Sequence, residues 1–363
     1  MKAIALTHYP DWEDPAGLFE TDLPMPVPRE RDVLVAVQAV SVNPVDNRAR
    51  APKEAVEAAP RVLGWDAAGI VVAAGAGVTR FRPGDRVYYA GEYTRAGSYA
   101  EYQLVHEDLV GSMPMVSFAA AAAMPLTVLT AWEAIFDRLR VPRAGAGERK
   151  KSMLIVGAGG GVGSIATQIA ARVAGLTVIG TASNERSRQW CLEMGASAVV
   201  DHGKPLVPQV RVALGRDEVD YILLAASADL YFGDAAELVA PQGAICTLVE
   251  AKRPIDFGLL WDKSVTLTWE MVFTRALFRT EDMHRQGQIL SEVAGLIDAG
   301  VLETTETEVL RPICPAQVLA ALNRLRKGSV CGKIVLEQFD NQEQRGREAE
   351  ASVSTGAGGE KHE

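Results

Sequence analysis

Short apolar runs separated by glycine- and proline-rich turns fill the N-terminal third of the chain. The runs at residues 33–40 and 69–74 predict strands, because apolar, mostly β-branched side chains between turn residues favour extended backbone. Pro83-Gly84-Asp85 predicts a tight turn, and residues 86–89 lead out of it as a further strand. At residues 118–139 the pattern changes to large apolar side chains at helical spacing, in an alanine-rich segment that a proline interrupts. The pattern predicts a β-rich part followed by a helix.

A second pattern begins near residue 150, where short apolar runs alternate with amphipathic segments. Strands are predicted at residues 153–156, 176–180, 198–200 and 221–224, and helices at residues 164–174 and 185–194. Strands that alternate with helices of this length are typical of βαβ units and a parallel sheet. Two more amphipathic helices, at about residues 282–299 and 315–327, precede a last strand at residues 332–336. Residues 340–363 have almost nothing to bury, so we predict that they are disordered.

Length, composition and charge narrow the possible functions. A chain of 363 residues is too long to fold around a single ordinary hydrophobic core, so its length favours two domains. Hydrophobic residues make up 48% and charged residues 23%, as in soluble globular proteins. No apolar run reaches the roughly 18 residues of a membrane span, and a net charge of −9 disfavours binding to nucleic acid or anionic lipid. Acidic residues stand where a signal peptide needs an apolar core, so we expect a cytoplasmic location.

The cysteines give no sign of a metal site or a disulfide. They are Cys191, Cys246, Cys314 and Cys331, and none belongs to a C-x-x-C pair. We therefore expect no disulfide and no cysteine-built zinc site in a reducing compartment. We interpret the four thiols as small buried hydrophobic groups.

A glycine cluster, Gly157-Ala158-Gly159-Gly160-Gly161-Val162-Gly163, joins a predicted strand to a predicted helix. Glycines at such a junction allow a tight turn and let the backbone approach a pyrophosphate, while the helix N-terminus offers free N–H groups. The register we predict is Ala158-x-Gly160-x-x-Gly163, a small-residue variant of G-x-G-x-x-G. The alternative is a flexible turn without a ligand. The strand–turn–helix context favours a dinucleotide site that includes all of residues 158–163.

The end of the second strand of this unit indicates which dinucleotide binds. NAD sites usually carry an acidic residue about twenty positions after the glycines, to hold the ribose hydroxyls. Here Ser183 and Asn184 occupy that place, and Arg186 and Arg188 follow. A hydroxyl and guanidinium groups suit a 2′-phosphate, so we predict NADPH. Glu185 is the residue against this interpretation, and a solvated helix face is the alternative for the two arginines.

Several motifs in one order identify a family. They are Asn43-Pro44-Val45-Asp46, Gly64-Trp65-Asp66-Ala67-Ala68-Gly69, Pro83-Gly84-Asp85-Arg86-Val87, Gly97-Ser98-Tyr99-Ala100-Glu101-Tyr102, Pro125-Leu126-Thr127 and the glycine cluster. Over about residues 1–337 the chain resembles the medium-chain dehydrogenase/reductase superfamily, and most of all its quinone oxidoreductase-type branch.

The resemblance implies an α/β protein with a GroES-like, partly open β-barrel domain and a Rossmann domain with a doubly wound parallel sheet. The catalytic, GroES-like domain would take residues 1–125 and 266–337, and the Rossmann domain residues 126–265. Residues 338–363 would form the disordered tail. The cofactor would lie in the cleft between the domains, and the chain would form a homodimer.

The resemblance also implies where a zinc site would be, and the residues there do not suit one. In the zinc alcohol dehydrogenases a cysteine ligand stands near the position of Asn43 and a histidine ligand at that of Trp65. Asp46 and Asp66 alone cannot supply the roughly four ligands that zinc needs. None of the histidines is paired at ligand spacing: they are His8, His106, His202, His284 and His362. We predict no metal, and therefore activated acceptors such as quinones or α,β-unsaturated carbonyls, which need positioning and hydrogen-bond donors.

Candidate substrate residues come from the resemblance. It implies that Asn43 lies beside the nicotinamide and that Tyr89 and Tyr93 border the cleft, where either phenol would donate a proton or hydrogen bond. Trp65 would form an aromatic wall of the pocket. Asp46 is a candidate base. The alternatives are core packing for Trp65 and the tyrosines, and a structural role for Asp46.

Candidate cofactor residues outside the glycine cluster come from the same source. Thr127 and Thr130 would approach the nicotinamide and the phosphates, Phe273 would meet the carboxamide through its backbone, and Lys333 would lie near the cofactor. The alternatives are core hydroxyls for the two threonines and a solvated side chain for Lys333.

The predicted function is an NADPH-dependent, zinc-independent oxidoreductase of small quinones or enones. A zinc-type alcohol dehydrogenase and a non-catalytic NADPH-binding protein remain as alternatives.

Overall fold

The computed structural model describes residues 1–143 and 151–339, and the statements below concern these residues. The disorder predicted for residues 340–363 lies outside them. Within the described ranges, no helix is long and apolar enough to cross a membrane.

The N-terminal part is built from strands, as predicted. The strands are β1 (Lys2–Tyr9), β2 (Phe19–Asp22), β3 (Asp32–Ser41), β4 (Lys53–Val62), β5 (Asp66–Ala74), β6 (Arg86–Tyr89), β7 (Tyr102–His106) and β8 (Val110–Ser112). A short helix, α1 (Pro44–Ala49), follows β3, and α2 (Phe118–Ala122) and α3 (Pro125–Trp132) follow β8. The helix predicted at residues 118–139 is therefore divided. Pro125 begins a new helix at the N1 position, where its missing N–H costs nothing, and a π-helical turn, Glu133–Arg138, extends α3.

The second part alternates strands and helices. Its elements are β9 (Ser152–Val156), α4 (Gly161–Gln168), β10 (Thr177–Ala182), α5 (Glu185–Glu193), β11 (Ala198–Asp201), α6 (Leu206–Leu214), β12 (Val219–Leu224), α7 (Ala228–Leu238), β13 (Val239–Thr247) and β14 (Thr266–Trp269). The strands are parallel in the order β11-β10-β9-β12-β13-β14, the order of a doubly wound dinucleotide-binding sheet. β14 takes this sheet past the predicted boundary at residue 265.

Both faces of the parallel sheet are covered. Met153 and Ile155 of β9 lie in the same core cluster as Ile165 of α4, whereas Leu154 and Val156 pack in a second cluster with α6 and α7. Successive side chains of a strand point to opposite faces, so the continuous apolar run of β9 fits a strand buried on both sides. The chain then passes through α8 (Thr274–Leu277), α9 (Arg285–Asp298), β15 (Glu306–Leu310), α10 (Pro315–Arg326) and β16 (Lys333–Glu337).

The first and last parts of the chain share one sheet. Its order is β15-β16-β3-β5-β6-β8, with β7 also paired to β3, while β2, β1 and β4 form a separate three-stranded sheet. β16 pairs antiparallel with β3, so that Val335 lies opposite Ser41, and Ser41 lies opposite Asp66 of β5. The predicted fold class, a GroES-like β domain with an α/β Rossmann domain, is confirmed. The starts of β5 and β16 and the end of β3 meet at one place, which is where the polar residues of the site converge.

Candidate functional site

The glycine cluster forms the turn between β9 and α4. Gly157 has a φ of +85°, a left-handed conformation that favours glycine, and its N–H donates to Oγ1 of Thr181 at 3.0 Å. A Cβ atom at Gly163 would lie 2.2 Å from the carbonyl oxygen of Gly157, so α4 can pack against the turn only if this residue is glycine. Ala158 is fully buried, and a Cβ atom at Gly180 of β10 would lie only 2.9 Å from its Cβ atom. These residues fix the shape of the turn.

Gly160 has a different role from its neighbours. It is the N-cap of α4 with a φ of −78°, which any residue can adopt, and the nearest atom to an added Cβ would be the Gly157 oxygen at 3.5 Å. Nothing in the protein itself therefore requires a glycine here. The space beside the N-terminus of α4 is free, as it must be if a ligand approaches the backbone.

A pocket extends from this turn past the end of β10. It is lined by Gly157, Gly159, Gly160, Thr181, Ala182, Ser183, Asn184, Arg186, Ser187, His202 and residues 328–331. Three residues predicted to bind the dinucleotide at the strand end, Ser183, Asn184 and Arg186, are thus brought together. The side chain of Asn184 also caps α5 by accepting the N–H of Ser187 at 3.0 Å. No acidic residue lines this pocket, which suits a phosphate group.

Arg188 does not join the pocket, contrary to its prediction as a cofactor ligand. Its guanidinium donates to the carbonyl oxygen of Val199 in β11 at 2.6 Å. Two residues along a helix lie about 200° apart, so Arg186 and Arg188 face different directions from α5. Arg186 is therefore the one arginine among the pocket residues.

His202 is a pocket residue that the sequence analysis considered only as a metal ligand. Its Nδ1 lies 3.1 Å from Oγ1 of Thr181, the same atom that accepts the N–H of Gly157. The ring also meets Tyr231 edge to face, with centroids 6.2 Å apart. His202 directly follows β11, and ligands of such sheets bind beyond the carboxyl ends of the strands, which is the signal that would have found it.

Lys333 lies at the centre of a buried polar network. Its Nζ donates to the carbonyl oxygen of Val42 at 3.0 Å, to Oδ1 of Asn43 at 2.6 Å and to Oδ2 of Asp66 at 3.0 Å. Only 3% of Lys333 is exposed. Its three N–H donors are thus all used within the protein, which excludes the alternative of a solvated lysine.

Asp66 and Asn43 complete this network. Oδ2 of Asp66 also accepts Nδ2 of Asn43 at 2.7 Å and the hydroxyl of Ser41 at 3.1 Å, and Oδ1 accepts the N–H of Leu126 at 2.7 Å. The amide of Asn43, predicted to hold substrate or cofactor, is occupied on both sides by Asp66 and Lys333. Asn43 therefore positions the site from within the protein.

The network packs directly against the glycine turn. A Cβ atom at Gly161 would lie 2.8 Å from Cδ of Lys333 and 3.2 Å from Cγ2 of Thr127. The N–H of Gly332 donates to the carbonyl oxygen of Gly159 at 2.9 Å. Lys333 and Thr127 thus lie beside the N-terminus of α4, and their alkyl parts support the turn.

The two threonines use their hydroxyl protons within their own helix. Oγ1 of Thr127 donates to the carbonyl oxygen of Met124 at 3.0 Å, and Oγ1 of Thr130 to that of Leu126 at 2.7 Å. Threonine in a helix commonly bonds back in this way. Thr127 is the threonine that lies against Gly161, and the prediction that Thr130 binds the cofactor stays a prediction.

Asp46 is a structural residue rather than a base. Its Oδ2 accepts the N–H of Asn43 at 2.6 Å and the hydroxyl of Tyr99 at 2.9 Å, as in a capping box at the start of α1. Complete burial raises the pKa of the carboxyl to about 7, although both donors act to lower it. A carboxyl sealed inside the fold has no path to a substrate.

Tyr89 is not a cleft residue either. It is fully buried in β6, opposite Ala67 of β5, and its hydroxyl has no hydrogen-bond partner among the described residues. Burial raises the pKa of the phenol far above its ordinary value. Adjacent residues of a strand face opposite sides, and a tyrosine pair such as Tyr88-Tyr89 does not show which one faces a cleft. The prediction of Tyr89 as a donor is therefore wrong.

Trp65, Tyr93 and Phe273 form one aromatic cluster, which we call the aromatic wall. Trp65 and Tyr93 are stacked at 5.0 Å, and the Phe273 ring lies 6.1 Å from Trp65 and 5.6 Å from Tyr93. Nε1 of Trp65 donates to the carbonyl oxygen of Glu92 at 3.3 Å. Trp65 and Phe273 are buried, and Tyr93 is only partly so. The carbonyl of Phe273 accepts the N–H of Leu277 at 2.7 Å, so α8 fixes this residue.

The residues at the expected zinc position do not suit a metal. Both oxygens of Asp66 are occupied, and the place of the implied histidine ligand is filled by the indole of Trp65. Across residues 1–143 and 151–339 there is no group of three or more histidine, cysteine or acidic side chains that could hold a metal ion. The side chains present therefore do not fit zinc, which needs a set of nitrogen, sulfur or oxygen ligands.

Known proteins resemble this chain over most of its length. The family of the alcohol dehydrogenase GroES-like domain matches residues 29–115, and that of the zinc-binding dehydrogenases matches residues 161–285. A zinc-type alcohol dehydrogenase-like protein of Staphylococcus aureus is 43% identical over 313 residues, which cover 86% of this chain and 92% of that protein. The quinone oxidoreductase of Lama guanicoe is 33% identical over 242 residues, or 66% of this chain and 70% of that protein. The structure of a mycobacterial protein complexed with NADPH has a TM-score of 0.76 at 27% identity, over 93% of this chain and 100% of the other.

Two glycine variants separate ligand binding from folding. Gly160→Ala should leave the unfolding free energy within about 1 kcal/mol, because its backbone conformation is ordinary and the Cβ has room. If the glycine turn binds a nicotinamide dinucleotide, the added methyl should nevertheless weaken that binding at least tenfold, since it would stand where the backbone approaches the pyrophosphate. The matched variant Gly163→Ala should destabilise the fold itself. Fluorescence titration and urea unfolding measure both effects, and unchanged affinity in a folded Gly160→Ala would mean that the dinucleotide does not lie on this turn.

Proposed function

The chain belongs to the medium-chain dehydrogenase/reductase superfamily of oxidoreductases, in its quinone oxidoreductase-like branch, and on this premise we propose that it is an NADPH-dependent reductase that works without zinc. Its acceptors are quinones or α,β-unsaturated carbonyl compounds. The observation that carries the proposal is the pocket beyond β10, which offers groups for a phosphate and no carboxylate. The mycobacterial relative was solved with NADPH, which supports the same choice of cofactor.

The pocket residues suit the pyrophosphate and the 2′-phosphate of NADPH. The open turn at Gly160, with the N-terminus of α4 behind it, suits the pyrophosphate. Ser183, Arg186 and His202 suit the 2′-phosphate, because a hydroxyl, a guanidinium and an imidazole all donate hydrogen bonds. An NAD site would carry a carboxylate at this place, which would repel that phosphate. When bound, NADPH supplies the hydride.

The aromatic wall would receive the acceptor. Planar quinones and enones stack on aromatic faces, and Tyr93 is the partly exposed ring that would meet them. The buried rings of Trp65 and Phe273 support Tyr93 from within the protein. The phenol of Tyr93 is the partly exposed polar group of the wall, and it would donate a hydrogen bond to the oxygen on which charge develops. Activated acceptors of this kind take a hydride at carbon and need no metal at the oxygen, which agrees with the lack of a fitting zinc site among the described residues.

Turnover in the presence of a chelator tests the proposal. NADPH oxidation is followed by absorbance with 1,4-benzoquinone, 9,10-phenanthrenequinone and a short 2-alkenal, before and after dialysis against EDTA. We expect turnover with at least one acceptor and no loss on dialysis. Turnover that disappears with the metal would support the zinc-type alcohol dehydrogenase, and NADPH binding without turnover would support the non-catalytic alternative.

Tyr93→Phe should lower kcat by roughly 10²-fold if the phenol assists, whereas Tyr89→Phe is the matched control and should not.

Cofactor preference can be reversed at one residue. Ala182 ends β10, is 6% exposed and lines the pocket. Ala182→Asp should weaken NADPH binding at least tenfold, because the carboxylate repels the 2′-phosphate, and should improve NADH binding by accepting from the ribose hydroxyls. Ala182→Asn has nearly the same size without the charge, and should change the preference much less. An unchanged ratio of the two dissociation constants in Ala182→Asp would contradict the position assigned to the 2′-phosphate.

We also propose that two copies of this chain pair through β14. This strand is at the edge of the parallel sheet, and an apolar groove beside it is lined by Phe257, Leu260, Trp261, Ser264, Val265, Leu267 and Trp269. Trp261 is 84% exposed and Trp269 58%. An exposed edge strand flanked by large apolar side chains favours pairing with another chain.

Light scattering of the purified protein tests this pairing. The mass should be about twice that of one chain. Trp261→Arg should shift it toward the monomer. Val212→Arg should not, because Val212 is equally exposed at 84% but lies on α6, which packs against β11 at the other edge of the sheet. A monomeric native protein would overturn the proposal.

A further inference from the structure

A cluster of charged side chains lies buried behind the aromatic wall. It brings together the turn that extends α3, the residue after β14, the short helix α8 and the approach to α9. Its members are Glu133, Asp137, Arg138, Glu270, Arg275 and Asp282. Glu133 is fully buried, and Glu270 and Arg275 are 4% and 6% exposed. Glu133 and Glu270 are thus shielded from water, whereas the side chains of Asp137 and Asp282 at the edge of the cluster are 25% and 56% exposed.

Arg275 cannot neutralise all of these acids. Its Nη1 lies 2.7 Å from Oε2 of Glu133, and its Nη2 lies 2.9 Å from both Asp137 and Asp282. Arg138 places its Nε 2.8 Å from Oε2 of Glu270. If Glu133 and Glu270 were both ionised, two negative charges would lie beside Arg138 out of reach of water, which is costly.

Glu133 and Glu270 meet at the centre of this cluster. Arg138 lies between the two carboxyl groups, with its Nη2 3.8 Å from Oε2 of Glu133 and its Nε 2.8 Å from Oε2 of Glu270. Both oxygens of Glu270 and Oε2 of Glu133 are buried and accept no hydrogen bond from the described residues. Burial is the main cause that raises the pKa of both carboxyl groups, and the charge of Glu133 adds to it for Glu270. The nearby thiol of Cys246 in β13 has a pKa raised by burial to about 12 and stays neutral. The titrating proton of this cluster therefore belongs to Glu133 or Glu270.

The cluster holds the backbone on both sides of Phe273. Nε2 of Gln286, in α9, donates to the carbonyl oxygen of Val272 at 2.6 Å and to Oε1 of Glu133 at 3.0 Å. Arg275 lies two residues after Phe273 and is fixed by three acids. Glu270 lies three residues before it. The position of one ring of the aromatic wall thus depends on how Glu133 and Glu270 are arranged.

We propose that Glu133 and Glu270 share a single proton, and that this pair positions residues 270–275 so that Phe273 completes the aromatic wall. When the proton leaves, two adjacent carboxylates repel each other in a buried site, and the segment loosens. Glu133 and Glu270 are positioning residues, because they act through Val272 and Phe273 and not on the acceptor. The kinetic consequence rests on the proposed function, since it takes the wall to be the acceptor site.

The sign of the pH effect follows from the raised pKa of the pair. The pKa of Glu270 is raised to about 8 in the folded protein, above the ordinary value of 4.5 that the unfolded chain would show. The unfolded state then gives up its proton first as the pH rises, so the pair's contribution to stability decreases from about pH 4.5 upward and is fully lost above about pH 8. Glu270→Gln keeps a neutral hydrogen-bonding group at this place. It should remove this dependence.

The variants Glu270→Gln and Glu308→Gln test the proposal without assuming turnover. Glu308 is the matched control, because it pairs with Arg324 at 2.6 Å in a half-exposed ion pair that does not contact the cluster. The thermal midpoint of Glu270→Gln is compared with that of the native protein at pH 5.5 and at pH 9. The difference, variant minus native, should be roughly 2–4 °C larger at pH 9 than at pH 5.5. Hydrogen exchange of peptides covering residues 270–278, compared at the same pH, should be faster in the native protein than in Glu270→Gln at pH 9 and equal at pH 6.5. Glu308→Gln should follow the native protein in both measurements.

Kinetics then tests the link to the wall. The KM for a quinone should increase roughly tenfold from pH 7 to pH 9.5 in the native protein, with kcat little changed, and should stay flat in Glu270→Gln. A midpoint difference that is constant with pH would overturn the shared proton. Altered exchange with a KM that does not change would overturn the link to the wall. If no acceptor is turned over, the proposed function fails, and the exchange measurement still decides whether the pair holds the segment.

Discussion

The arrangement of this site depends on the contacts that the buried ammonium group of Lys333 makes. A buried charge is very unfavourable unless its partners are fixed around it, and Lys333 finds Asp66, Asn43 and a backbone carbonyl within hydrogen-bonding distance. Lys333 begins β16, and its partners come from the residues that follow β3 and from the start of β5. Asp66 in turn holds the first turn of α3 through the N–H of Leu126. Four segments that are distant in sequence therefore meet at one charge.

The position of the glycine turn follows from this network. The alkyl chain of Lys333 lies against Gly161, and the residue before it bonds to Gly159. A strand of the GroES-like domain thereby sets the place of the nucleotide turn of the Rossmann domain. The same network occupies the carboxylate that a metal in this cleft would need. The shape of the glycine turn and the poor fit of a metal at Asp66 thus have one structural origin.

Sequence periodicity was sufficient for the parallel sheet but not for the partners of the polar residues, and the GroES-like domain came from the family resemblance. The apolar run of β9, the glycines after it and the alternation that follows predict the parallel sheet, because these patterns depend on local spacing. Arg186 and Arg188 look equivalent in sequence, but they face different directions from α5, and Arg188 donates a hydrogen bond to the carbonyl oxygen of Val199. Tyr89 and Tyr93 also look alike, yet one lies inside the β domain and the other in the aromatic wall. The contacts of His202 and of Glu133 with Glu270 join distant elements, which no local pattern could indicate.

A double-mutant cycle on Lys333 and Asp66 tests the central role of this ion pair most directly. Urea unfolding is measured for the native protein, Lys333→Met, Asp66→Asn and the double variant, where asparagine keeps an acceptor for the N–H of Leu126. Each single change should cost about 3–5 kcal/mol, because it leaves the other charge buried without its partner. The double variant should be more stable than the sum predicts by at least about 2 kcal/mol. Additive losses would mean that Lys333 and Asp66 contribute independently, and would contradict the account of one charge organising the site.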